Sequence, residues 1–343
     1  MANDDANIVV NGIGTVGKRV AHAVKKQDDM DLYGVADVAP TADLRSNLEG
    51  PLEGTRLFCS VPDKVEDLEE AGFKVEDDLP SLLDTGKIDL VVDATPPEID
   101  EKNKEVYEEK GVKAIFQGGA DASIAPVSFN ALANYGEAGD VDWVRVVSCN
   151  TTSLTRTLWS LDSNIGVEKA IGNLVRRGGD PPQDSRGPIN SIVPVTHIPS
   201  HHGPDVQEIM PDLNITTLAV KVPTTLSHLH MINADLSESV SREDVLRIFE
   251  KTPRIRLFEA EQGYDSTAKI IERFRDQRLR YDMPEVAVWE ETVEVEDNTA
   301  YWIHQVHQES IIVPENIDAI RAMLNLADRD ESIRKTNDNL GIE

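Results

Sequence analysis

The feature that most constrains the fold is an alternation that fills the first 150 residues. Short apolar runs stand at Asn7 to Val10, Leu32 to Ala36, Ile88 to Val92, Val112 to Phe116 and Val141 to Val147. Amphipathic stretches such as Val16 to Lys26 and Glu98 to Lys110 separate some of them. A strand that is apolar on both faces must be covered on both, and helical crossovers supply the cover, so the pattern predicts a parallel sheet between helices. From about Thr151 the period changes. Longer alternating runs at Ala170 to Arg176, Ile215 to Val222, Leu226 to Ala234, Val286 to Val295 and Ala300 to Val306 predict an α+β domain with a mostly antiparallel sheet. In the last stretch, Pro314 to Ala327, residues Ile317, Ile320, Met323, Leu324 and Leu326 share roughly one helical face. A length of 343 residues suits two such domains.

Directly after the first run comes Gly12-Ile13-Gly14-Thr15-Val16-Gly17, with an amphipathic stretch following. Glycines there permit a tight turn and close backbone approach, and the helix amino terminus that follows receives a pyrophosphate. The bland alternative is a glycine turn that only packs strand on helix. Strand, helix and position all favour the dinucleotide site, so the first domain is expected to be a Rossmann doubly wound α/β sheet. Asp37, at the end of the next run, is placed to accept hydrogen bonds from the ribose hydroxyls of NAD and to repel the extra phosphate of NADP. Its competitor is one more surface acid in an acidic chain.

That acidity is large: 34 Lys and Arg against 62 Asp and Glu, a net charge of −28. Such a charge repels phosphate backbones and argues against a nucleic-acid partner. Disorder needs low hydrophobicity as well as charge, and this chain is 40% hydrophobic and periodic. Self-repulsion of this size is screened by concentrated salt, so a salt-adapted cytoplasm is expected. No run approaches the ~18 apolar residues of a membrane span, and the opening MANDDAN lacks the basic and apolar regions of a signal peptide. No membrane partner is expected.

Two cysteines, Cys59 and Cys149, form no framework of pairs. Cys59 sits in the apolar run Leu57 to Val61 and suits a buried structural thiol. Cys149 stands in Ser148-Cys149-Asn150-Thr151-Thr152, between a strand and the helix-like stretch Thr152 to Leu161. A thiol there feels the positive end of the helix dipole, which lowers its pKa, and the neighbouring N–H groups can hold an oxyanion. Cys149 is therefore a candidate nucleophile. Five of the eight histidines fall between residues 197 and 230. His197, His201 and His202 belong to a loop, while His228 and His230 share one face of a strand, and the residues alone do not separate the last two as acid–base partner. No carboxylate or thiolate ligands at matching spacing suggest a metal. Arg176 and Arg177 end a strand and can pair with phosphate or carboxylate.

Together these residues resemble the archaeal-type (type II) phosphorylating glyceraldehyde-3-phosphate dehydrogenases. The resemblance covers nearly the whole chain, through VNGIGTVGKRVA, IFQGGA, RVVSCNTT, NLVRR, GPINSIVP, PSHHGPDV, PTTLSHLH, TPRI and VHQESIIVPENIDAIRA. It implies that Cys149 is the nucleophile, with Asn150 beside it and His228 as acid/base. It implies that Ser148, Arg176, Arg177, His201, His202 and Gly203 hold substrate or inorganic phosphate. Thr15, Val16, Gly118, Arg177 and Gln308 are then expected in the cofactor site with Gly12, Gly14, Gly17 and Asp37. The implied division is residues 1–148 for the dinucleotide, 149–310 for the chemistry, and 311–343 as a terminal helix packing back on the first domain. A homotetramer is implied too. Relatives preferring NADP often carry a lysine where this chain has Asp37, so NAD is favoured and NADP is the second candidate. The acidity resembles versions from salt-loving archaea. SCNTT-like strings also occur in aspartate-semialdehyde dehydrogenases, which makes another semialdehyde dehydrogenase the near alternative and a non-catalytic NAD sensor the distant one.

Overall fold

The computed structural model describes residues 5–117, 119–180 and 187–343. The chain divides into two compact units, Met1–Val147 with Val313–Gly341, and Ser148–Ile312 with Ile342–Glu343.

In the first unit the described residues form β1 (Ala6–Asn11), β2 (Met30–Asp37), β3 (Leu57–Cys59), β4 (Val75–Asp78), β5 (Leu90–Asp93), β6 (Lys113–Gln117), β7 (Val127–Phe129) and β8 (Trp143–Val146). They make one sheet in the order β4-β3-β2-β1-β5-β6-β8-β7, parallel throughout. The five apolar runs are β1, β2, β5, β6 and β8. β4, Val-Glu-Asp-Asp, is an edge strand too short and too charged to leave a sequence signal. The chain reverses its direction of travel across the sheet between β1 and β5, and ligand crevices of doubly wound sheets form outside the strand ends at such a switch. The helix Gly17–Val24 follows β1 there.

The helix Val313–Met323 was expected to bury one face, and it is buried all round. Its polar residues are matched inside the unit. Glu315 accepts the Ala131 N–H at 2.7 Å, Asn316 exchanges bonds with Gln117, Asp318 accepts from Ser332 and Thr336, and Arg321 grips Asp29 at 2.8 Å. A second helix, Arg329–Leu340, covers the side that would otherwise face water.

The second unit contains β9 (Val167–Arg177), β10 (Val193–Pro194), β11 (Ile215–Val222), β12 (His228–Leu236), β13 (Ile255–Phe258), β14 (Val286–Trp289), β15 (Glu294–Glu296) and β16 (Thr299–Val306). The order is β10-β11-β9-β12-β16-β14-β13, with β15 beside β16. The sheet is mixed: β9 with β11 and β13 with β14 are parallel, and the other pairings are antiparallel. The expected single strand Val286 to Val295 is broken by a turn at Glu290–Thr292. There Thr292 Oγ1 donates to the Trp289 carbonyl at 2.7 Å and accepts the Ile303 N–H at 2.9 Å. The helix expected from Thr152 begins one turn earlier, at Cys149, because Ser148 is extended and its side chain caps the Thr151 N–H.

Candidate active site

In the first unit the glycine loop has the geometry its spacing predicts. Gly12 has φ +89°, and a Cβ on it would lie 2.9 Å from the Ala94 carbonyl. A Cβ on Gly17 would meet the Gly12 oxygen at 1.8 Å, whereas Gly14 faces open space. Two glycines thus let backbone pack on backbone, and the third leaves a cradle that a dinucleotide phosphate can approach. Asp37 closes the same loop: its Oδ2 accepts the Ile13 N–H at 2.8 Å, and its Oδ1 accepts from Val38 and Ala39 at 2.7 and 3.1 Å. Thr15 and Val16 lie in the loop ahead of the helix, where Thr15 holds Arg19 through its carbonyl. The residues present therefore fit a dinucleotide. Gly118 lies outside the described residues.

In the second unit Cys149 opens the helix Cys149–Asp162, and its sulfur lies 3.5 Å from His228 Nε2. β12 aims His228 and His230 to the same side, with ring planes 7° apart. Only His228 is within reach of the sulfur. Its Nδ1 accepts the Arg177 backbone N–H at 2.9 Å, so the neutral ring carries its proton on Nε2, facing Cys149. Burial holds the His228 pKa well below its ordinary value, with Arg177 and Arg176 adding to the effect. The ring is a donor in this state.

The helix position does not lower the Cys149 pKa as expected. Burial pushes the thiol up to about 12, against the pull of Arg177, Arg176 and the Asn150 backbone N–H. Desolvation of a thiolate outweighs two cations and a helix end. Cys59 is the buried thiol its apolar setting predicts, donating to the Val61 carbonyl at 3.0 Å.

The expected phosphate group is split by its own hydrogen bonds. Arg177 is buried, with Nη1 on Glu309 at 2.6 Å, Nη2 on Asp180 and Nε on Gln308. Its guanidinium is satisfied by these partners inside the unit. Gln308 also raises the His228 pKa against the effect of burial. His202 is fully buried: Nδ1 faces Ser200 Oγ at 3.0 Å and Nε2 faces Asn150 Nδ2 at 3.3 Å. The Gly203 N–H donates to Thr217 Oγ1 at 3.0 Å. Ser148 Oγ lies 2.9 Å from Thr151 Oγ1, which donates to Asp205 at 2.8 Å. Arg177, His202, Gly203 and Ser148 thus each have partners inside the unit. Arg176 has a buried Nε with no partner among the described residues and is electrostatically coupled to Cys149, and His201 is exposed with its ring 3.9 Å from that of His202.

Sequence reading missed Trp302, His304, His307 and Glu309. Trp302 and His304 alternate along β16, and the register opposes His304 to His230. Period-2 alternation was the available signal, and it was read only as a strand. Glu309 takes both Arg177 and, at 3.1 Å, His307 Nε2. Nothing local in Gln308-Glu309-Ser310 announces that partner.

Comparison with known proteins agrees with this division. Residues 148–292 match the family model described as glyceraldehyde 3-phosphate dehydrogenase, C-terminal domain, and residues 6–118 match dihydrodipicolinate reductase, N-terminus. A glyceraldehyde-3-phosphate dehydrogenase of Thermococcus sibiricus is 51% identical over 97% of this chain and 98% of its own. The chain belongs to the glyceraldehyde-3-phosphate dehydrogenase family. Similar family members from Archaeoglobus fulgidus and Methanothermus fervidus are 48% and 46% identical, each covering 98% of this chain, and 97% and 98% of their own lengths. As a member of this dehydrogenase family the chain uses a nicotinamide cofactor, which its glycine loop accommodates. The C-terminal family match starts at the cap of the Cys149 helix and includes His228, while Trp302, His304, Gln308 and Glu309 lie beyond it.

Proposed function

We propose that the protein is a phosphorylating dehydrogenase that converts glyceraldehyde 3-phosphate and inorganic phosphate reversibly to 1,3-bisphosphoglycerate. In this reading the first unit binds the dinucleotide and the second carries the chemistry. The observation that carries it is the Cys149 sulfur 3.5 Å from a His228 Nε2 that holds a proton, at a helix start, with Arg176 uncommitted nearby. Cys149 rests as a thiol, so its proton first leaves to solvent water; the thiolate then adds to the aldehyde carbon, and the carbonyl oxygen becomes an alkoxide that His228 Nε2–H stabilises. A nicotinamide held by the glycine loop would supply a hydride acceptor. Departure of hydride from the alkoxide carbon would leave a Cys149 thioester, with His228 needed only as a donor. A phosphate oxygen then attacks the thioester, His228 again donates to the oxyanion, and collapse expels the thiolate and the acyl phosphate. His228 thus works as a fixed donor. Arg176 and His201 hold the anionic groups, and Arg177, Ser148, His202 and Gly203 support the frame.

NAD is the proposed cofactor, supported by the Asp37 carboxylate at the glycine loop, with NADP as the alternative. The proposal includes a salt-adapted cytoplasmic enzyme, in keeping with a net charge of −28, among whose described residues no helix is long and apolar enough to cross a membrane. A homotetramer suits the apolar side chains of Ile189, Ile192 and Ile198, which are 89%, 66% and 66% exposed in the single chain. The test is a phosphate-dependent assay offering glyceraldehyde 3-phosphate and aspartate semialdehyde, with NAD and NADP, over a range of KCl, alongside the mass in solution. Higher kcat/KM for aspartate semialdehyde would replace the substrate, and NADP preference would overturn the weight on Asp37.

A further inference from the structure

Beneath the Cys149–His228 pair runs a line of buried polar groups that the reaction does not use. Trp302 Nε1 donates to His304 Nδ1 at 3.0 Å. His304 Nε2 lies 3.0 Å from His230 Nδ1, and His230 Nε2 lies 2.9 Å from Asn150 Oδ1. Asn150 Nδ2 lies 3.3 Å from His202 Nε2, His202 Nδ1 lies 3.0 Å from Ser200 Oγ, and Ser200 Oγ lies 2.8 Å from Thr217 Oγ1. Every side chain in the series is at most 2% exposed.

An indole nitrogen can only donate, and that fact sets the direction of every link. With its Nδ1 accepting from Trp302, a neutral His304 must carry its proton on Nε2 and donate to His230. His230 then carries its proton on Nε2 and donates to the Asn150 amide oxygen. The amide nitrogen must point at His202 Nε2, which leaves His202 protonated on Nδ1 and donating to Ser200. Ser200 Oγ donates to Thr217, whose hydroxyl donates to the Ser200 carbonyl at 3.0 Å. Reversing the series would turn over the Asn150 amide and set the His304 Nδ1–H against the Trp302 N–H. Ser153, 3.2 Å from His230 Nδ1, has another acceptor in the Asn150 carbonyl at 2.9 Å, so it does not contest the direction. The scheme needs neutral imidazoles, and burial pushes His304 down to about 3 and His202 to about 2, with His230 well below its ordinary value.

The end point is the nucleophile. Asn150 follows Cys149 in the first helical turn, and its backbone N–H is one of the groups that pull the Cys149 thiol pKa down. We propose that Trp302, His304 and His230 are positioning residues: a one-way hydrogen-bond relay that locks the Asn150 amide and so holds the first helical turn, with its N–H, on the Cys149 sulfur. The proposal rests on the reading of Cys149 as the nucleophile but not on any particular aldehyde.

The test is the pH dependence of Cys149 alkylation by iodoacetamide in the full chain without substrate. His230→Ala should slow alkylation at pH 7.5 about tenfold by moving the thiol titration up about one unit. His230→Gln, whose amide N–H can replace Nε2–H toward Asn150, should recover most of that rate. Trp302→Phe, three links from Asn150, should slow alkylation about threefold in the same direction, since it removes one hydrogen bond from the series. Wild-type rates and titration in His230→Ala and Trp302→Phe overturn the relay. Should His230→Ala fail to fold, Trp302→Phe and ¹⁵N-histidine spectra of the unaltered enzyme decide. Protons on Nε2 of His230 and His304 and on Nδ1 of His202 support the direction, and any other set overturns it. If Cys149 were not the nucleophile, Cys149→Ser would keep its turnover, an outcome distinct from unchanged alkylation in the relay variants.

Discussion

The two units present their polar groups in opposite ways. The first works with backbone: three glycines, a helix start and an Asp37 carboxylate that gathers three N–H groups. The second works with side chains taken out of water, a thiol and four histidines held neutral by burial, with one uncommitted guanidinium among them. Backbone donors are fixed in space and do not titrate. Buried imidazoles and thiols are tunable, and the folded state bears the cost of keeping them uncharged.

The largest break in this comparison is Cys149→Ser. It should lower turnover by on the order of 10³-fold or more while cofactor binding, followed by nucleotide fluorescence, stays unchanged. Retained dehydrogenase activity would remove the mechanism. Next comes Arg176→Leu, which deletes the guanidinium left for an anion. Loss of a charge-assisted bond worth about 1.5–3 kcal/mol should raise the KM for phosphate roughly 10- to 100-fold. It should also push the Cys149 alkylation profile to higher pH, because Arg176 pulls the thiol down. An unchanged KM would return the phosphate role to Arg177.

Acid separates the units themselves. His202, His228, His230 and His304 are depressed in the folded chain, whereas unfolded imidazole takes a proton near pH 6.5. The unfolded state therefore binds more protons below that pH. Their contribution to stability is complete above about pH 6.5 and falls by up to about 1.4 kcal/mol per unit for each ring as pH drops. The first unit contains one histidine, His22. There Asp29, which burial raises but Arg321 and Lys335 pull below the ordinary carboxylate value, keeps its contribution until about pH 4. Hydrogen exchange at pH 5 should show β9, β11, β12 and β16 losing protection before β1, β2 and β5. Simultaneous loss would mean that the two units unfold as one. The smallest effect should come from Asp37→Ser, a shift of about tenfold or less in the NAD-to-NADP ratio of kcat/KM toward NADP, with Cys149 alkylation untouched.

Legibility followed the same boundary. The glycine loop and Asp37 lie within one strand-turn-helix-strand segment, so spacing alone carries the geometry, and the alternating run Ile215–Val222 became a strand with those bounds. The placing of Cys149 between a strand and a helix was legible from its flanks. The split among Arg176, Arg177, His202 and Gly203 was not, because burial and partners such as Glu309, 132 residues away from Arg177, decide which polar groups remain free. The broken run at Glu290–Thr292 and the all-round burial of Val313–Met323 had the same cause: a neighbour distant in sequence covers or bends what local pattern leaves open.

By itself the sequence determined the α/β layout of the first unit, the change of period after it, the glycine cradle and the place of Cys149 at a helix start, since each rests on contacts between residues close along the chain. Only the tertiary structure decided the protonation states. Whether Cys149 is a thiol, which nitrogen of His228 carries the proton and which way the Asn150 amide points depend on desolvation and on donors brought from other strands. Those are properties of an interior, which exists only once the chain has folded.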